Sequence, residues 1–144
     1  MNAALPSSAQ LESLRQFARF GTVGFAGFLV DNAVVYGLRS ATGLYVAGVL
    51  AYVAAATLNW SLNRAWTFRS AAPAAAHRQW ALFLAANAVG FVLNRGTYAG
   101  LIAVSDLCRT YPVLAVFAGT LAGMGANFHL SRTLVFKASE ARNG

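Results

Sequence analysis

Asn59, Asn63 and Arg64 close one long apolar run, and Asn127, Ser131 and Arg132 close another in the same order. Positions 59 and 63 are four apart, so on a helix they share one face, with Arg64 beside them. Two guanidinium groups placed in this symmetric way could hold a phosphate bidentately. Deeper in the apolar runs stand Asp31-Asn32 and Asn94-Arg95. Counted from Phe20 and from Phe83, Asp31 and Arg95 reach matched depths of about 16 Å at the rise of an α-helix. An acid and a base at one depth can neutralise each other, and an ionisable residue within a membrane usually faces a partner or a cavity. The expected phosphate contacts are therefore Arg64, its weaker counterpart Arg132, and Arg95 as a deeper station. Asn59, Asn63, Asn127, Ser131, Asp31 and Asn94 are the polar residues expected to support them. The plainer alternative is that the arginines snorkel to headgroups and the amides bond neighbouring helices. A symmetric pair of such clusters favours a shared polar cavity.

Enzyme chemistry finds no footing here. The four acidic residues are scattered, with no paired carboxylates, no Ser-His-Asp set and no metal-binding cluster. Neither catalysis nor a cofactor is expected.

The elements that must carry these residues follow from composition. The chain is 58% hydrophobic and 10% charged, whereas soluble domains are about half apolar and a quarter charged. Four runs with few charges, Phe20 to Leu38, Leu44 to Leu62, Trp80 to Val104 and Val113 to Leu130, each approach the roughly 20 residues that cross a bilayer as a helix. The expected fold is an all-α integral membrane protein with four transmembrane helices. The net charge of +7 then speaks for membrane topology, and nucleic acid is not expected as a partner. The single cysteine, Cys108, excludes an intrachain disulfide.

The chain also echoes itself. Asn59-Trp60-Ser61-Leu62-Asn63-Arg64-Ala65-Trp66-Thr67-Phe68-Arg69 matches Asn127-Phe128-His129-Leu130-Ser131-Arg132-Thr133-Leu134-Val135-Phe136-Lys137 at an offset of 68. Further upstream the offset is 63: Phe20 with Phe83, Gly27-Phe28 with Gly90-Phe91, Asp31 with Asn94. A constant offset is the mark of an internal repeat. Two helices per repeat is an even number, so the repeats run parallel about an axis along the membrane normal. The domain plan is a polar tail over 1–15, a membrane domain over 16–138 made of repeats 16–70 and 79–138, and a tail over 139–144. Between the repeats, 70–77 reads as a linker; within them, 40–43 reads as a short turn and 106–112 as a turn lengthened by the change of offset.

These stretches resemble the GtrA-like family. The resemblance rests on Phe17-Ala18-Arg19-Phe20-Gly21-Thr22-Val23-Gly24, on Asp31, and on the two ends 59–68 and 127–132, and it covers about 16–137. The second copy departs from the pattern at Ser131 and Leu134, where the first has Asn63 and Trp66. The resemblance implies a small multi-pass protein of the bacterial inner membrane. It implies translocation of a polyprenyl-phosphate-linked sugar for cell-surface polysaccharide, beside a partner glycosyltransferase. Two other classes stay open: a non-transporting adaptor for that glycosyltransferase, and a small proton-coupled exporter with Asp31 as proton carrier. Arg95 at matched depth speaks against the exporter, because a paired carboxylate has a lowered pKa. Four helices enclose little volume, so a homodimer or higher oligomer in membrane lipid is expected.

Charge sets the orientation. Arg15, Arg19, Arg64, Arg69, Arg78, Arg132, Lys137 and Arg142 fall on the side shared by both termini and the linker, with only Arg39 and Arg109 opposite. Cytoplasmic flanks carry the excess of Lys and Arg, which makes both termini cytoplasmic. On a Cys108→Ser background, a cysteine at Thr42 should react with an impermeant thiol reagent in intact cells, and one at Ala75 should not. The reverse pattern would invert the topology.

Overall fold

The computed structural model describes residues 7–137, and the tail expected over 139–144 lies outside them. The chain divides into two compact units, Met1–Arg69 and Ser70–Gly144. Each is described on its own.

The first unit is one interrupted helix, α1 (Ser8–Leu62). It starts well before the expected end of the tail at residue 15. A capping box explains the early start: Ser7 Oγ accepts from Gln10 N at 3.3 Å while Ser7 N donates to Gln10 Oε1 at 2.8 Å. Two first-turn amides are thereby satisfied, and the following Ala, Leu, Glu and Arg residues are good helix formers. Helical winding then runs on through the expected turn at 40–43 and breaks only at Gly43, where φ is 77° and ψ 163°. A side chain would be strained at this angle, so glycine sets the place of the break.

The limbs on either side of Gly43, 8–42 and 44–62, fold back antiparallel. Gly27 meets Asn59, and the Phe20 ring stands edge-on to Phe68 with centroids 6.3 Å apart. Small residues make the approach possible. Ala47, Ala51 and Ala55 are buried at four-residue spacing, facing Phe20, Val23 and Gly27 on the first limb. Lipid tails are as apolar as leucine, so close backbone approach and van der Waals contact hold membrane helices together.

The second unit holds α2 (Ala76–Val104), the short α3 (Asp106–Thr110) and α4 (Pro112–Leu130). Ser105 caps α3 by accepting from Cys108 N at 3.3 Å, and Asp106 pairs with Arg109. This helix has five residues, the amount by which the sequence offset grows between the two halves. Arg109 also donates to the carbonyls of Ile102 and Ala103, at 3.0 and 2.9 Å, covering the frayed end of α2. Pro112 opens α4 in its first turn, where its missing N–H is no loss.

Helices α2 and α4 pack antiparallel through the same kind of row. Ala115, Gly119 and Gly123 are buried at four-residue spacing, opposite Phe83, Ala86 and Gly90. The spacing Gly119-xxx-Gly123 is therefore consumed inside the unit, and the neighbouring row Ala118, Ala122, Ala126 is only half-buried. The rings of Phe83 and Phe136 meet edge-on at 6.1 Å.

Both units end alike. The α-helices pass into five-residue π-turns, Asn63–Thr67 and Ser131–Val135. Phe68 N donates to Asn63 O at 2.8 Å and Phe136 N to Ser131 O at 2.7 Å. The wide turn stacks Phe68 above Asn63 and Phe136 above Ser131, where α-winding would stack the residue before each aromatic.

Outward faces are apolar. Phe25, Phe28, Leu29, Val49, Phe91, Val92, Val113 and Phe117 are all exposed, as lipid contact requires. Among the described residues, two stretches are long and apolar enough to cross a membrane, Ser8–Thr67 and Pro112–Val135. In α2 the polar residues Asn87, Asn94 and Arg95 lower the mean hydropathy, and it falls short of that standard.

A methyl group at Gly119 would come within 2.6 Å of the Asn94 carbonyl, whereas at Gly125 it meets nothing within 4 Å. Gly119→Ala should therefore destabilise the protein in detergent by about 1–3 kcal/mol, the usual cost of overpacking. Gly125→Ala should be neutral or mildly stabilising. Thermal unfolding of the two variants side by side tests the seam.

Candidate functional site

Each seam ends in polar side chains where apolar ones would pack. In the first unit the alanine row continues through Asn59 and Asn63 to Thr67, and Asn63 and Thr67 are almost wholly buried. Gln16 stands on the opposing limb. Asn59 Oδ1, Asn63 Oδ1, Thr67 Oγ1 and Gln16 Oε1 are all buried with no hydrogen-bond partner among the described residues. A buried polar atom without a partner costs about 1–3 kcal/mol. Four together are a concentration of unmet acceptors, which a fold would carry only where they serve a bound group or water.

The second unit has a reduced form of this arrangement. Its row runs through Asn127 and Ser131 to Val135, and Asn127 Oδ1 and Ser131 Oγ are buried and unpartnered among the described residues. Gln79, the counterpart of Gln16, donates through Nε2 to Val135 O at 3.2 Å. Valine in place of threonine and serine in place of asparagine leave this seam with fewer free oxygens.

Asn59 and Asn127 each sit on a glycine. A Cβ on Gly27 would fall on the Asn59 amide, and one on Gly90 would fall on the Asn127 amide. The pairing of Gly27 with Gly90 was visible in the offset of 63, yet nothing in the sequence said that the partner of each is an asparagine. Gln16, Gln79 and Thr67 went unnoticed as site residues. A signal for the glutamines did exist, since 16 and 79 keep the same offset of 63.

The arginines surround these seams differently. Arg64 is half-buried inside its π-turn, with the guanidinium 5.6 Å from the centre of the Trp60 ring. Arg19 lies at the same distance over Trp66. Cations over aromatic faces are held without losing their outward hydrogen-bonding edges. Arg132 is exposed. Arg95 is exposed on α2, its guanidinium 5.6 Å from the Phe91 ring centre. Asn94 backs against Gly119 and Gly123 and is part of the seam. Asp31 is half-buried on α1, and Asn32 beside it donates to Phe28 O at 2.8 Å. Among the described residues no group of three or more His, Cys, Asp or Glu is placed to hold a metal.

The family model for the GtrA/DPMS transmembrane domain matches residues 19–142. The chain belongs to this family. Both seams, both π-turns and all three expected phosphate contacts lie within the matched region, so the GtrA/DPMS domain includes nearly all of the candidate site, Gln16 alone preceding it. No curated protein matches the chain. Membership makes it a membrane protein and suggests involvement in the handling of polyprenyl-phosphate sugars.

Asn59 offers a clean separation of stability from function. Its acceptor is unpartnered among the described residues, so Asn59→Ala forfeits no hydrogen bond through that oxygen and should move the unfolding temperature little. Gly27→Ala should lower it by several degrees, and the pair Gly27→Ala with Asn59→Ala should recover most of the loss because the amide no longer occupies the space. Lack of recovery in thermal unfolding of the three variants would remove the Gly27–Asn59 contact as the cause.

Proposed function

We propose that this protein flips a polyprenyl-phosphate-linked sugar across the bacterial inner membrane, for synthesis or modification of a cell-surface polysaccharide. The supporting observation is the pair of seams that end, beside Arg64 and Arg132, in buried oxygens with no hydrogen-bond partner among the described residues. Hydroxyl-rich sugar needs acceptors, phosphate needs cations, and each seam end brings both together. Arg64 makes the main phosphate contact, Arg132 the weaker one, and Arg95 serves deeper in the membrane with Asp31 near its depth. The role is non-catalytic.

Four transmembrane helices in two parallel repeats carry this site, with both termini cytoplasmic. A homodimer or larger assembly supplies the wall that a lipid headgroup path needs, and a glycosyltransferase that makes the lipid works beside it. Holding that glycosyltransferase without transport is the second reading, favoured by the exposed basic residues Arg69, Arg78 and Lys137 near the seam ends.

Flipping of a polyprenyl-phosphate sugar by purified protein in liposomes separates the two. Wild type should flip. Arg64→Lys should slow flipping at least tenfold, since lysine keeps the charge and loses the planar fork. Arg69→Lys should be unaffected. Asp31→Asn with Arg95→Gln leaves no unpaired ion, so the double variant should insert normally yet fail to flip if Arg95 meets the phosphate. Full activity of both Arg64→Lys and the double variant would sink the phosphate path, and absence of flipping by wild type would leave the adaptor.

A further inference from the structure

The second unit contains a cleft that the flipping mechanism does not use. It encloses about 350 Å³ between the linker at Ala72–Ala75, the first turn of α2 and the end of the π-turn Ser131–Val135. Its construction is specific. Ala72 N donates to Lys137 O at 2.8 Å and ties the linker to the chain beyond the π-turn, while Gln79 ties α2 to Val135. Leu82, Leu134 and Pro73 supply apolar walls, and Arg78 and Lys137 supply two cations at the exposed margin. The first turn of α2 opens there with no side-chain cap, which adds to the positive potential.

The first unit builds this place differently. By the same offsets, Leu82 corresponds to Arg19 and Leu134 to Trp66, and those two side chains stack on each other. Ahead of Gln16, the counterpart of Gln79, helix α1 continues back to Ser8, where the second unit has its linker. An apolar cleft bounded by cations therefore belongs to the second unit's own construction and is not a general consequence of the repeated sequence.

We propose that this cleft holds an anionic phospholipid of the surrounding leaflet, its phosphate between Arg78 and Lys137 and the start of its acyl chains against Leu82 and Leu134. Two cations match one phosphodiester, and the apolar walls match the acyl chains attached to it. A free phosphate ion would meet the same cations but would leave those walls without an occupant. The lipid is distinct from the flipped substrate, so the site stands even if flipping fails.

Native mass spectrometry of the full chain, extracted from vesicles of phosphatidylglycerol and phosphatidylcholine, is the test. Wild type should retain phosphatidylglycerol in preference to phosphatidylcholine. Arg78→Gln with Lys137→Gln should retain it about thirtyfold less tightly, as expected for the loss of two cation–headgroup contacts. Arg15→Gln with Arg69→Gln removes the corresponding charges from the first unit and should bind as wild type. Ala74→Phe keeps both cations but fills the cleft, and should also lose the lipid. The charge-conserving exchange Arg78→Lys with Lys137→Arg should keep it, which guards against misfolding as the cause. Equal losses in the two charge-removing pairs would reduce the effect to general electrostatics and overturn the proposal. So would undiminished binding by Ala74→Phe, or complete displacement from wild type by excess inorganic phosphate.

Discussion

Close approach of backbones along a small-residue seam is the constraint on which this structure depends. Water drives no helix association inside a bilayer, so contact between helices must come from surfaces that fit. Ala47, Ala51 and Ala55 in one unit, and Ala115, Gly119 and Gly123 in the other, strip the facing helix surface to almost nothing. The gain is short range and sums over many atoms, so it is lost quickly if one member grows. The same closeness shuts out lipid and water from whatever lies further along the row. That is why Asn63 and Ser131 are buried although they lie near helix ends, where polar residues are usually wet.

Burial of these oxygens gives the seams a second character. One end of each is sealed by apolar fit, and the other collects acceptors around a π-turn. A polar group kept dry has a stronger pull on a partner than one in water. Family membership points to polyprenyl-phosphate sugars, and under the proposed function the seam ends meet their hydroxyls and phosphate. The two units are not equivalent in this respect. Thr67 and Asn63 against Val135 and Ser131 leave the first seam richer in acceptors, and Arg64 is half-buried where Arg132 is exposed.

Much of this was legible in the sequence. Apolar runs and few charges gave an all-helical membrane protein, and the fixed offsets located the two seam ends with their asparagines and arginines. Helix limits were less legible: Ser7 and Gln10 form a capping box whose spacing could have been read, yet the polar composition of 1–15 suggested a tail. The break at Gly43 was placed within one short turn, but only the backbone angle shows that a single residue makes it. The glycines opposite Asn59 and Asn127 were out of reach, since a sequence aligns residues across repeats and says nothing of which ones meet within a repeat. The π-turns were hidden for a related reason. Their residues have no distinctive composition, and the extra residue reveals itself only through the bonds from Phe68 to Asn63 and from Phe136 to Ser131.

Those wide turns have a consequence for how such a chain can change over time. A helix advances about 100° per residue, so one surplus residue re-aims everything beyond it while leaving everything before it in place. Here the surplus sits at the boundary between the seam and the basic ends that carry Arg69 and Lys137. Loss or gain of a single codon within 63–67 or 131–135 would turn those ends to a new bearing while leaving the rows as far as Asn59 and Asn127 in place. The protein therefore has a natural point for variation in length, at which the rows before the turn are inherited unchanged and the basic ends beyond it are redirected in one step.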